Sequence, residues 1–240
     1  LDLAISDKIK QLQREGVRPA ERLAAQITRA GAAAQPALIE LACNTDLLHG
    51  DEPACYAPIH ALRLLGEVGS VEMITPLLRQ FPVELYYEDE RLPQVWAEEV
   101  PQIIGHLGTA AIEPLWAVAD AADWPPAARS SALIALTYIT AVAPEQHQAI
   151  VAGLRARLAS AGDKQLASYL VTALGNLGMK DLYPDVLAMY RAGTIDSAII
   201  PAGALRQMLL SDSSKRLACA RHPLWERYDQ HGPFAGEREV

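Results

Sequence analysis

Aromatic residues are scarce in this chain, at 6% of 240 positions with only two phenylalanines. No stretch shows the β-branched alternation of a strand family. Long apolar runs are missing too. The longest uncharged run near the middle, residues 132–144, contains Thr137 and Thr140 and is too short to span a bilayer. Basic residues are in the minority: 21 Lys+Arg face 29 Asp+Glu, giving a formal charge of −8 and a pI near 5.3. That balance argues against nucleic acid, because a partner held through phosphates requires a basic stripe. The three cysteines, Cys43, Cys55 and Cys219, are an odd number. The opening LDLAISDKIK lacks the basic start and apolar core of a signal peptide. A reduced, cytoplasmic compartment with no membrane segment is the expectation.

Signatures of chemistry are also wanting. There is no HExxH, GxSxG, phosphate loop or paired CxxC. Cys219 and His222 have metal-ligand spacing with His231 nearby, but a structural zinc needs a fourth ligand. His60 and His106 have no sequence partner to act as base or nucleophile. The expectation is therefore a chain with no catalytic residue, no cofactor and no metal.

What is present is periodicity. Half of the residues are apolar, with alanine and leucine prominent, a composition suited to helix-on-helix packing. Leu65-Gly66-Glu67-Val68-Gly69 returns as Ile104-Gly105-His106-Leu107-Gly108 and again as Leu174-Gly175-Asn176-Leu177-Gly178. The intervals are 39 and 70 residues, the second being twice 35, and Ile139-Thr140-Ala141-Val142-Ala143 fills the midpoint with small residues for glycines. Such a period marks stacked supersecondary units. Each instance ends a run with apolar residues three and four apart, as in Ile59, Leu62 and Leu65. The first glycine is expected where helices approach closely. The second is expected past the helix end in a left-handed conformation. Ser70 and Thr109 are placed to cap a following helix, and Pro76, Pro114 and Pro184 recur six or seven residues beyond the second glycine.

These features resemble the HEAT and armadillo group of helical-hairpin repeats, in which the first helix ends in Leu-Gly-x-apolar-Gly and the second begins with proline and paired leucines. The matching positions are Leu65 to Gly69 with Pro76-Leu77-Leu78, Ile104 to Gly108 with Pro114-Leu115, and Leu174 to Gly178 with Pro184 before Val186-Leu187. Arg129-Ser130-Ser131-Ala132 is similar to the start of a HEAT first helix. The resemblance departs in the fourth unit, where Thr140 and Ala143 replace glycines, and in the first, where only Gly31 and Pro36 survive. It implies an all-α fold: a right-handed α-α superhelix, or α-solenoid, of about five hairpins over residues 19–195. An amphipathic helix within 1–16 would cap the open end and a short helix at 200–210 would finish a solenoid domain of residues 1–210. Residues 211–240 would form a polar tail, either partly docked through Leu224, Trp225 and Phe234 or disordered.

The resemblance also implies a groove of successive second helices, and hence a non-catalytic scaffold for a protein or peptide. The acidic total favours a basic partner. The candidate contact is the segment from Glu84 to Glu99, where Glu84, Glu88, Asp89, Glu90, Glu98 and Glu99 against Arg91 give −5. Tyr86, Tyr87 and Trp96 lie among these charges as rigid groups favoured at interfaces. One alternative is an enzyme, because a few HEAT-like folds are DNA glycosylases that use tryptophans and an aspartate on the concave face. Trp96, Trp116 and Trp124 with Asp120 and Asp123 would serve, although the predicted second helices carry few basic residues. A further alternative is a domain of a larger protein.

Overall fold

The computed structural model describes residues 3–84 and 91–230, and every regular element among them is helical. The helices are α1 (Leu3–Gln11), α2 (Glu21–Ala30), α3 (Gln35–Ala42), α4 (Ala57–Val68), α5 (Ile74–Leu78), α6 (Arg91–His106) and α7 (Ile112–Asp120). They continue with α8 (Pro126–Val142), α9 (His147–Ala159), α10 (Lys164–Asn176), α11 (Tyr183–Arg191), α12 (Ala202–Leu210), α13 (Ser214–Ala218) and α14 (Leu224–Gln230). Among the described residues no helix is long and apolar enough to cross a membrane. The chain divides into two compact units: unit 1 is residues 1–107 with 222–240, and unit 2 is residues 108–221. This division differs from the single domain of 1–210 followed by a tail. The break falls inside the third expected hairpin, and α14 belongs to unit 1.

In unit 1, α4 is the central helix. Nine consecutive residues from Ala57 to Leu65 are buried, because α3 and α6 flank it while α2 and α14 also pack on it. An apolar stripe would serve one neighbour, but four neighbours require a helix buried all round. In unit 2 the same role falls to α8, in contact with α7, α9, α10 and α13. Its interior positions alternate alanines with Leu133, Leu136 and Ile139, so small and large side chains both meet the neighbouring helices.

Helix limits follow local chemistry. The Asp163 carboxylate accepts the Leu166 amide at 2.7 Å and starts α10. Ser70 Oγ accepts the Glu72 amide at 3.4 Å, and its hydroxyl donates to Gln35 Oε1 at 3.0 Å. The recurring glycines divide by function. At Gly66 a Cβ would stand 3.0 Å from Ile103 Cδ1, and at Gly175 it would stand 2.7 Å from Leu205 Cδ1, so the first glycine admits a neighbouring helix. Gly108 and Gly178 have φ of 64° and 69° and end their helices left-handed. Gly69 does not: its φ is −69°, and its amide donates to the Leu65 carbonyl at 2.7 Å. Glycine is required there for space, since a Cβ would overlap that carbonyl oxygen and lie 2.5 Å from Met73 Sδ.

Candidate functional site

The acidic and aromatic segment does not form one surface. Glu84 and Glu98 are exposed, whereas Tyr86, Tyr87, Glu88, Asp89 and Glu90 lie outside the described residues. Trp96 and Glu99 are corrections to the expected contact set, because both are interior. Trp96 is fully buried, donates from Nε1 to the Ala42 carbonyl at 2.8 Å, and lies 5.6 Å from the Phe81 ring. Glu99 is 2% exposed and receives the guanidinium of the fully buried Arg63. Arg63 Nε lies 2.8 Å from Oε2 and 3.2 Å from Oε1, and Nη2 also donates to Oε1. A partner reaches neither residue.

Around this pair unit 1 holds a polar cluster that sequence reasoning missed. His60 lies three residues before Arg63 on α4 and is also fully buried. Its Nε2 lies 2.9 Å from the Gly16 carbonyl. A carbonyl only accepts, so Nε2 carries the proton and Nδ1 accepts from the Tyr228 hydroxyl at 2.7 Å. Burial pushes the imidazole pKa down to about 4, and the Arg63 charge lowers it further against the effect of the Gly16 bond. Burial also pushes the Tyr228 phenol upward, which keeps it a donor. The Arg63 guanidinium lies 4.5 Å from the Tyr228 ring centroid, close enough for cation–π attraction. Arg227, 2% exposed, donates to Gln102 Oε1 at 3.2 Å. These side chains are closed to solvent, so the cluster fixes α14 on unit 1 and offers nothing to a substrate.

A cluster in unit 2 does reach solvent. Trp116 and Asp120 are one turn apart on α7 and share a face. Arg157 of α9 lies flat against Trp116, 3.7 Å from the ring centroid. Its Nε and Nη2 each donate to one Asp120 oxygen at 2.6 Å. Nη1 donates to the Gly153 carbonyl at 3.2 Å. Gly153 makes the stack feasible, because a Cβ there would stand 2.8 Å from Trp116 Cζ2. The Arg157 and Asp120 side chains keep 30% and 51% of their surface exposed. Asp120 is tied at both oxygens, so the trio presents a neutral, planar ion pair against an aromatic platform. Elsewhere on α9, Arg155 pairs with Asp181 at 2.6 Å and holds that carboxyl below its usual range through the hydrogen bond. Trp124 is half-buried and Asp123 exposed.

Among the described residues no group of three or more His, Cys, Asp or Glu could hold a metal ion. Burial pushes the Cys43 thiol up to about 11 and raises Cys55 as well, the opposite of an activated thiolate. The Cys219 thiol donates to the Arg216 carbonyl at 3.1 Å. His222 lies 3.6 Å from Glu226, one turn on. No family model, no curated protein and no solved structure matches the chain.

Proposed function

We propose that this chain is a HEAT-like α-solenoid whose hairpins form a non-catalytic scaffold for a protein or peptide partner. A ladder of polar bonds supports the repeat reading. Gln35 bonds Ser70 at a separation of 35 residues, Arg63 bonds Glu99 at 36, Arg157 bonds Asp120 at 37 and Asn176 bonds Thr137 at 39. Those separations equal the sequence period, as expected when like positions of successive repeats stack. Within the units, α4 packs on α6, α8 on α10 and α10 on α12, which are first helices followed by the closing helix.

The observation that carries the function is the solvent-reaching Arg157–Trp116 stack on two successive second helices. Arginine and tryptophan are the side chains most often found as anchors at interfaces, and here each fixes the other's rotamer before any partner arrives. Charge favours a basic partner at unit 1. That unit carries 20 carboxylates against 11 Lys+Arg, net −9, while unit 2 carries nine against ten, net +1. The test is affinity for a cross-linked partner measured with Arg157→Ala and Trp116→Ala. A loss of about tenfold or more is expected for each; unchanged affinity would move the contact off these helices.

A second reading, a DNA-glycosylase-type enzyme, is favoured by Trp116 and Asp120 sharing one face. It is opposed by the acidic total and by the capture of Asp120 by Arg157. Mobility shift with plain duplex DNA at low salt separates the two: retardation of the duplex would support the enzyme.

A further inference from the structure

We propose that α14 is an acid-sensitive latch: a second proton on His60 frees α14 from unit 1 while the rest of that unit stays folded. The device needs no partner and stands apart from the scaffold reading.

The two bonds of the His60 ring respond differently to acid. Nε2 donates to the Gly16 carbonyl at 2.9 Å, and a protonated ring keeps that N–H, so this bond suits either charge state. Nδ1 accepts from the Tyr228 hydroxyl at 2.7 Å, which only the neutral ring can do. Rotating the hydroxyl to accept the new proton would not restore the site. Arg63 already hydrogen-bonds the Tyr228 side chain and lies 4.5 Å from its ring centroid. Two cations would then share one neutral phenol away from water, and the Glu99 carboxylate is already bound by Arg63.

The other groups packed around α4 are neutral, apolar or cationic. The turn at 54–56 brings Cys55, whose thiol burial keeps protonated, and Tyr56, 6.4 Å from His60 between ring centroids with its hydroxyl donated to Glu52. Arg18 lies 5.8 Å from the Tyr228 ring centroid, and the buried Arg227 of α14 reaches Gln102. The buried residues of α2 and α3 are leucine, isoleucine and alanine, and the turns at 12–14 and 45–49 bury one leucine each.

The element able to yield is α14. It has seven residues, well below the roughly 12–15 at which an isolated helix becomes even marginal in water. By contrast α4 is buried on all sides, so moving His60 itself would open the whole unit. Letting α14 go admits water to His60 Nδ1 and Arg63. It gives up the packing of Leu224 and Tyr228, the Leu224 amide bond to Glu67 and the Arg18–Asp229 pair. Burial holds the ring's pKa at about 4 in the closed state, against near 6.5 in water. Between those values the open state binds the proton and the closed state does not. Closure is therefore favoured in full above about pH 6.5, and the opening constant rises by up to about tenfold for each pH unit below it.

The experiment is hydrogen exchange of the full chain from pH 7 to 4.5, each amide rate divided by its unstructured rate at the same pH. The amides of Arg227, Tyr228 and Asp229 should be at least about tenfold less protected than those of α4, by local opening. Their protection should fall by up to about tenfold per pH unit in wild type and by less than about twofold in His60→Gln. Glu67 and Asp229, the carboxylates that hold α14, are common to both chains and cancel in the comparison. Equal protection of α14 and α4 would mean that the helix opens only with the whole unit, and the proposal falls. A wild-type protection independent of pH, or the same slope in His60→Gln, overturns it as well. Should His60→Gln fail to fold, the carbon-13 signals of the His60 ring in wild type decide. Protonation that coincides with loss of α14 protection supports the latch, and protonation with α14 still protected overturns it.

Discussion

Arg63 and Glu99 are bonded to one another across 36 residues of sequence, both shut off from water inside unit 1. A buried ion pair is not by itself a source of stability, because desolvation offsets much of the attraction. Its consequence is specificity: a register shift of α6 against α4 would leave a charge alone in the core. Glu99→Gln is expected to cost about 3–5 kcal/mol by stranding the guanidinium, whereas Arg63→Met with Glu99→Met should recover most of that. Urea midpoints of the three proteins check it. A loss below about 1 kcal/mol for Glu99→Gln would mean that the pair does not hold α4 to α6.

His60 predicts how stability depends on acid. Its pKa is about 4 in the folded chain and near 6.5 when unfolded, so between those values the unfolded chain binds the proton and the folded chain does not. The contribution is complete above about pH 6.5 and is lost as pH falls toward 4, with a slope approaching ~1.4 kcal/mol per pH unit. Denaturation of wild type and His60→Gln from pH 8 to 4.5 isolates this effect from the carboxylates common to both. The variant should be less stable at pH 8 and show the flatter profile. Parallel profiles would contradict the buried neutral imidazole.

Gly108, with φ of 64°, predicts a backbone effect. Gly108→Ala should cost about 1–2 kcal/mol and Gly108→Val more, because a β-branched residue is an outlier there. Thermal melts of both variants provide the measurement, and unchanged melting would remove the left-handed ending of α6.

Leu136 is fully buried in α8. Leu136→Ala should cost about 2–5 kcal/mol, from lost transfer energy and the cavity left behind. Chemical denaturation showing less than about 1 kcal/mol would mean that the neighbouring helices collapse into the space.

Local features were the legible ones. The cap at Ser70 and the glycine spacers at Gly66 and Gly175 follow from the chemistry of a few adjacent residues. Gly69 misled because two different demands, left-handed backbone and absence of a Cβ, select the same residue. Trp96 and Glu99 misled because neighbouring charges suggested a wet loop. Yet helical spacing from Trp96 to Val100 and Ile103 places the tryptophan on the buried stripe, and Glu99 lies one turn before Ile103. Projecting α6 as a helix would have turned both inward.

The polar ladder was half legible. The 37 residues between Asp120 and Arg157 lie close to the spacing of the glycine motif, but nothing local said that they would bond. The contact of Tyr228 with His60 joins residues 168 apart, far beyond the spacing of the glycine motif, and no pattern in the chain announces it. Long-range closure of this kind is decided by which surface remains apolar and unfilled after the local elements have formed.

That closure imposes an order on synthesis. Unit 2 is one continuous stretch and can complete its packing as it leaves the ribosome. Unit 1 is begun first but lacks the α14 turn until residues 224–230 emerge, after all of unit 2 has been made. In the interval the faces of His60 and Arg63 that Tyr228 covers stay open, and the part of unit 1 made before unit 2 is finished only after it.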